Sequence, residues 1–195
     1  YASISDSTCL YSPFIFGCTD STALNYNPLA TVDDSSCCSS AVNLWNQIGQ
    51  DIDGESSYDG SGYSVAMNND GNIVAIGAIW NDGVNGGNSG HVRVYENSNG
   101  FWNQIGQDID GESANDHSGY SISLSDDGTR IAIGAEGNNG GGNGSSAGHL
   151  RIYENVGGSW YQIGQDIDGE TASAGSGRAV SISGDGNVVA VGSPY

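Results

Sequence analysis

Large apolar residues alternate with small residues in two short stretches, at positions 63–67 and 120–124. A period of two is typical of a β-strand that buries one of its faces. An Asp-Gly pair follows each stretch, at positions 70–71 and 127–128, and this pair favours a tight hairpin turn. The pattern therefore predicts antiparallel hairpins, and no part of the chain has convincing helical periodicity.

The strand expected after each turn is apolar on both of its faces. The runs at positions 73–76, 131–133 and 188–191 consist of Ile, Val and Ala. Continuous apolar runs of this length suit a central strand that is covered on both sides.

Two further strands complete the predicted unit. A loop rich in Gly and Asn leads to a third strand, expected at 91–95 and again at 149–153. The fourth strand contains a tryptophan and is expected at 102–109 and 160–167. Each unit thus comprises four short antiparallel strands.

The unit is repeated along the chain. Segments that begin at Trp45, Trp102 and Trp160 align almost without gaps, with tryptophans 57 and then 58 residues apart. We divide the array into units 45–101 and 102–159 and an incomplete unit 160–195, about 2.5 repeats. Four strands in about 57 residues is the size of a β-propeller blade, so the predicted fold is all-β. The three tryptophans share one position and are expected to be packing anchors between blades.

Propellers usually have at least four blades, so these repeats are not expected to close a ring alone. We expect a longer repetitive parent protein, several chains that pool their blades, or units that stack openly, and we favour the longer parent.

The unit resembles the FG-GAP repeat of integrin-α-like β-propellers. The FG landmark corresponds to Ser61-Gly62, Ser118-Gly119 and Ser176-Gly177. The GAP landmark corresponds to Gly77-Ala78-Ile79, Gly134-Ala135-Glu136 and Gly192-Ser193-Pro194. The likeness covers residues 45–195 and implies a β-propeller fold with calcium in acidic loops.

All four cysteines lie near the start of the chain, at Cys9, Cys18, Cys37 and Cys38. Four cysteines in so short a stretch predict a disulfide-stapled module at residues 1–39, ahead of the repeat domain at 40–195. The spacing contains no CxxC pair and does not suit zinc. Three disulfide pairings are open. The segment 17–37 resembles a short Cys-bracketed module of secreted proteins, of the type GCTDxxAxNYNPxAxxDDxSC.

An acidic loop follows each tryptophan strand and is a candidate calcium site. Carboxylates stand at relative positions 1, 3, 5 and 9 of two such loops: Asp51, Asp53, Glu55 and Asp59, and then Asp108, Asp110, Glu112 and Asp116. Calcium takes 6–8 hard oxygen ligands, which alternate positions of a tight loop can supply. The glycine stands at position 4 rather than 6, however, and a solvated acidic loop is the alternative.

The charge balance excludes several functions. The chain has 23 acidic and 4 basic residues, a net charge of −19, and no lysine. Nucleic-acid binding needs cationic side chains for the phosphates, and Schiff-base chemistry needs a lysine. No apolar run approaches 18 residues, so no membrane span is predicted.

No catalytic set is visible, and we predict that the protein is not an enzyme. His91 and His149 occupy the same position in two units, which favours an architectural role with a local hydrogen bond. His117 stands beside Asp116 and Ser118, but a catalytic triad is defined by convergence in space.

Two residues are candidates for contact with other molecules. Trp80 has no counterpart in the other units and is a candidate partner contact. Asn143 begins the only N-x-S/T sequon and is the candidate glycosylation site.

These features together predict a secreted, extracellular, non-catalytic repeat protein. We expect a structural or adhesive role in a surface filament or coat, stabilised by calcium, through self-association or contact with neighbouring repeats. The alternative is a β-propeller domain of a secreted or cell-surface receptor that binds glycans or cell-surface proteins.

Overall fold

A computed structural model describes residues 14–23, 25–37 and 46–195. Cys9, Cys38 and Trp45 lie outside these ranges. The chain divides into two compact units, residues 1–47 and 48–195, which are described separately.

In its described residues, the first unit contains one short strand pair and a disulfide. Strand β1 (Phe16–Gly17) runs parallel to β2 (Val32–Asp33). A disulfide joins Cys18, which is buried, to Cys37. The predicted disulfide staple is therefore confirmed for this pair. The two cysteines lie at the ends of the Cys-bracketed module at residues 17–37.

The second unit begins with a five-stranded antiparallel sheet, here called the first sheet. Its strands are β3 (Ser61–Met67), β4 (Ile73–Ala78), β5 (His91–Ser98), β6 (Phe101–Gln104) and β7 (Ile109–Asp110). The order is β3-β4-β5-β6, and β7 pairs with β5 beyond the end of β6.

The second sheet repeats this topology, and a third sheet contains two strands. The second sheet comprises β8 (Ser118–Leu124), β9 (Arg130–Ala135), β10 (His149–Val156), β11 (Ser159–Gln162) and β12 (Ile167–Asp168). The third sheet pairs β13 (Ala179–Ile182) with β14 (Val189–Gly192). A 3₁₀ turn, Gly140–Gly142, lies in the loop before β10. The prediction of open, antiparallel all-β blades is confirmed.

The predicted fourth strand is in fact two strands. Residues 102–109 were expected to be continuous, but β6 ends at Gln104 and β7 begins at Ile109. Gly106 lies between them with φ +76°, a left-handed conformation that ends regular strand geometry. The interruption recurs in the second sheet at Gly164, also with φ +76°. Within the described residues 46–60, no strand forms at the equivalent first position.

The sheets stack face to face, and their apolar residues form two clusters. The cluster between the first and second sheets contains Ala75, Val92, Val94, Ile109, Leu124, Ile131, Ile133 and Trp160. The cluster between the second and third sheets contains Ala132, Leu150 and Ile182. Strand β9 contributes to both clusters, which confirms the expected central strand covered on two sides.

Trp160 anchors adjacent repeats, as predicted. It is 3% exposed, and its indole N–H donates to the carbonyl of Ile105 at 2.9 Å. Gln107 Nε2 donates to the Trp160 carbonyl at 2.7 Å. Trp102 repeats the contact with the carbonyl of Ile48 at 2.8 Å.

None of the helical segments in the described ranges is long and apolar enough to cross a membrane.

Candidate functional site

The carboxylates of the acidic loop 108–116 lie beside two different sheets of the stack. Asp108 and Asp110 lie beside β5, because β7 pairs Asp110 with His91. Glu112, only two residues further, lies beside His149 of β10 in the second sheet. The structure therefore separates carboxylates that are neighbours in sequence and joins carboxylates from successive loops.

Asp59 and Asp116, the last position of each predicted calcium loop, fold the loop itself. Both carboxylates are buried, and each accepts a 3.0 Å hydrogen bond from an asparagine amide, Asn81 and Asn138 respectively. Asp59 also accepts from the Ser56 amide, as Asp116 does from two loop amides. These bonds satisfy a buried carboxylate and fix each acidic loop against the loop that follows β4 or β9.

The first cluster of potential ligands joins Glu55, His91 and Asp108. His91 is 2% exposed, and its Nδ1 lies 3.9 Å from Glu55 Oε2 and 3.8 Å from Asp108 Oδ2. The three ligand atoms lie within 4.8 Å of one another. Asp108 is held in place by the Gln104 amide, which donates to Oδ1 at 2.6 Å. We call Glu55, His91 and Asp108 the first His site.

The second His site is Glu112, His149 and Asp166, the equivalent residues of the next repeat. His149 is 3% exposed, and its Nδ1 lies 3.9 Å from Glu112 Oε2 and 3.7 Å from Asp166 Oδ2. This ring nitrogen is buried and has no hydrogen-bond partner. A buried polar atom without a partner is costly, so it calls for an explanation.

An arginine two residues after each histidine behaves differently at the two sites. Arg151 binds Asp166 through two bonds, Nε at 2.9 Å and Nη2 at 2.8 Å, and also contacts Glu112. Arg93 donates instead to the Asp53 carbonyl at 2.8 Å and lies 3.7 Å from Glu55. Among the described ion pairs, none joins Arg93 to Asp108. At the second His site the guanidinium contacts both carboxylates, whereas at the first it pairs with Glu55 alone.

The first His site opens into a polar cavity of about 390 Å³. Glu55, Asp59, His91, Asp108 and Asp110 all line it. A cation entering this cavity would meet several carboxylates and one imidazole in the same wall.

Burial sets the protonation of the groups in this wall. It lowers the pKa of His91, which favours the neutral ring with a free lone pair, and it raises the pKa of Asp110. At the second His site, the hydrogen bonds from Arg151 lower the pKa of Asp166. Buried, neutral histidine is the form that binds metals.

Other predicted calcium ligands lie outside the two His sites. Asp51 and Asp53 are exposed, and Asp53 contributes its backbone carbonyl to Arg93. The structure thus groups Glu55 with Asp59, Asp108 and Asp110 in the cavity wall, and leaves out Asp51 and Asp53.

The two candidate contact residues occupy exposed loops. Trp80 is 48% exposed and packs edge-on against Tyr63, with ring centroids 6.1 Å apart. Asn143 is exposed, and its side-chain amide donates to the Gly169 carbonyl at 2.9 Å. Asn85 makes the equivalent bond to Gly111 in the previous repeat, so this amide ties a loop to the next unit.

Sequence reasoning treated the two histidines as architectural and missed their carboxylate partners. The partners come from loops on either side of the strand: Glu55 precedes His91 by 36 residues and Asp108 follows it by 17. A signal was present in the recurring His-x-Arg pattern of 91–93 and 149–151, which places a ligand and a competing cation on one strand face. His117 lies apart from both His sites, with its Nδ1 3.2 Å from Glu136.

Comparison with known proteins agrees with this architecture. The family model of the FG-GAP repeat matches residues 52–95, from within the first acidic loop to within strand β5. No curated protein matches the chain. Residues 48–195 therefore form a β-propeller-type repeat domain, and residues 52–95 within it are an FG-GAP repeat.

Proposed function

We propose that this protein is a non-catalytic extracellular structural protein whose repeat domain joins other copies of itself head to tail, as a protomer of a surface filament or coat. One observation carries the proposal: a sheet face that is buried inside the stack is exposed on the first sheet.

The face in question is apolar in both of the first two sheets. On the second sheet it consists of Ile122, Leu124, Ile131 and Ile133, which pack in the cluster shared with the first sheet. The equivalent residues of the first sheet are Val65, Met67, Val74 and Ile76. Val65 is 65% exposed and Met67 57% exposed, whereas Leu124 is 9% exposed. An apolar face of this kind is typical of an interaction surface.

The third sheet offers the complementary face. Within the stack, Ala75 packs with Leu124 of the next sheet, and Ala132 packs with Ile182 of the one after. Ala190 of the third sheet is at the position equivalent to Ala75 and Ala132, and it is exposed. Met67 of the first sheet is at the position equivalent to Leu124 and Ile182. Ala190 of one copy is therefore expected to receive Met67 of another.

Such a contact joins two different faces of the same chain. Contacts of this heterologous type produce a closed ring or an open filament, depending on the rotation at each step. The net charge of −19 opposes association at low salt and is screened at high ionic strength. The Cys18–Cys37 disulfide supports an oxidising, extracellular setting.

The oligomeric state tests this proposal. Sedimentation of the wild-type chain at increasing concentration in 0.5 M salt is expected to give a growing series of oligomers. Met67→Asp is expected to abolish the series, and Val84→Asp, a control at an 88% exposed loop position, is expected to preserve it. A wild-type chain that stays monomeric throughout would contradict the proposal.

A second candidate function is glycan recognition through an aromatic edge. Tyr63 and Trp80 are each nearly half exposed, and their rings are in contact. The ring centroid of Tyr63 also lies 5.2 Å from that of Tyr120. Aromatic rings combine an apolar face with a polar edge and are frequent in binding surfaces. A glycan array probed with wild type and with Trp80→Ala would favour this function if binding is seen and is lost in the variant.

A further inference from the structure

The geometry points to a binding site for one divalent transition-metal ion, of the Zn²⁺ class, at the first His site (Glu55, His91 and Asp108). This inference is independent of the head-to-tail assembly and concerns different ligands from the contiguous Asp51–Asp59 calcium loop expected from the sequence.

The spacing of the three ligand atoms suits a bound ion better than direct contact. The distances from His91 Nδ1 to the two carboxylates, 3.8 and 3.9 Å, are too long for hydrogen bonds. Ligands bonded to tetrahedral zinc at about 2.0–2.2 Å stand roughly 3.3–3.6 Å from each other. A small inward shift of each side chain would therefore complete three bonds to one ion.

A buried polar atom without a partner provides independent support. Beside the cavity of the first His site, the hydroxyl of Ser89 is buried and has no hydrogen-bond partner. This hydroxyl lies against Gly83, which lines the cavity. An oxygen of the Asp110 carboxylate lies near the same side of Gly83. Groups of this kind are expected where a ligand completes the site.

The donor set selects the class of ion. One imidazole nitrogen with two carboxylate oxygens suits zinc and its transition-metal neighbours, whereas calcium prefers oxygen ligands alone. The open cavity leaves room for a water or a ligand from another molecule in the fourth position.

The second His site has the same donors but is already occupied by a protein cation. Arg151 bonds to both Asp166 and Glu112, and so compensates the charge that a metal would otherwise neutralise. The expected stoichiometry is therefore one ion per chain. This difference also provides a matched control within the same molecule.

Isothermal titration of the oxidised, full chain with ZnCl₂ tests the inference, with Co²⁺ absorption as a spectroscopic readout. Wild type is expected to bind one ion, His91→Ala to lose at least tenfold in affinity, and His149→Ala to bind as wild type does. Thermal melts of the metal-free variants would establish that each is folded.

Three results would overturn the assignment. The first is wild-type chain that binds no Zn²⁺. The second is binding that His149→Ala reduces and His91→Ala preserves. The third is Ca²⁺ binding of equal affinity in wild type and His91→Ala with no Co²⁺ spectrum, which would mean an oxygen-only site. Arg151→Met is expected to admit a second ion, and continued binding of one ion would contradict the role given to Arg151.

Discussion

The hydroxyl of Ser64 donates a 2.5 Å hydrogen bond to the carbonyl of Gly119 in the next repeat. Ser121 repeats the bond with Gly177 at 2.7 Å. Gly119 and Gly177 have φ values of +87° and +88°, a conformation that favours glycine. Their carbonyls lie directly against Gly77 and Gly134, where a side chain would collide with them. The FG and GAP landmarks are thus two halves of one contact that sets the register between sheets.

Gly134→Ala is expected to destabilise the repeat domain by about 1–3 kcal/mol, because its Cβ would overlap the Gly177 carbonyl. Gly192 is the equivalent residue of the third sheet, and a Cβ there would meet its nearest atom at 3.4 Å. Gly192→Ala is therefore the control and is expected to have little effect. Urea unfolding of both variants measures the difference, and equal losses of stability would contradict the account.

Trp160→Ala is expected to cost about 3–5 kcal/mol of unfolding free energy, since this side chain is almost completely buried between two repeats. Trp102 makes the same indole hydrogen bond at a more exposed position, so Trp102→Ala is expected to cost less. Chemical denaturation followed by far-UV circular dichroism distinguishes the two. Equal losses for the two variants would show that the shared hydrogen bond, rather than the burial of the ring, determines the cost.

The hairpin turn at Asp127 is expected to lose stability in acid. The Ser125 hydroxyl and the Thr129 amide donate to this carboxylate and lower its pKa. The charged form thus contributes stability above the ordinary range of an aspartate, about pH 3.9, and the contribution is lost as the pH falls through the lowered pKa.

Asp127→Ala is expected to reduce stability at pH 7 by about 0.5–1 kcal/mol, at the lower end for such hydrogen bonds because the turn is exposed. The difference from wild type should shrink below pH 3.9. A difference that stays constant from pH 7 to pH 2.5 would exclude the charged carboxylate as its source.

Reduction of the Cys18–Cys37 disulfide is expected to destabilise residues 14–37 by about 3 kcal/mol, the value for a loop of this length. Hydrogen exchange before and after reduction would show faster exchange in this segment, with strands β3 to β14 unchanged. Cys18→Ser with Cys37→Ser is the genetic counterpart. Unchanged exchange in residues 14–37 would contradict a stabilising role.

The repeat spacing was sufficient to predict the first three strands of each unit, the stacking tryptophans and the open sheets. A residue type that recurs at one position of every unit indicates that its surroundings recur too. The alternation of apolar and small or polar residues indicates which face of a strand is buried. The interruption at Gly106 was less visible, because a positive φ at glycine leaves no mark on apolar periodicity.

The first His site could not be predicted in the same way. Glu55 and Asp108 lie 53 residues apart and meet only because β7 returns to pair with β5. Sequence neighbours such as Asp110 and Glu112 are directed to different repeats by the same turn. The different roles of Arg93 and Arg151, at equivalent positions, depend on side-chain geometry alone.

Cross-linking between copies tests the head-to-tail assembly most directly. Chains carrying Met67→Cys are mixed with chains carrying Ala190→Cys and treated with a short bismaleimide, with wild type treated in parallel to measure cross-links from the native cysteines. Our account predicts a strong dimer band for this mixture, and only the wild-type background when Val84→Cys replaces Met67→Cys. Equal cross-linking in the two mixtures, or none above background in either, would contradict it.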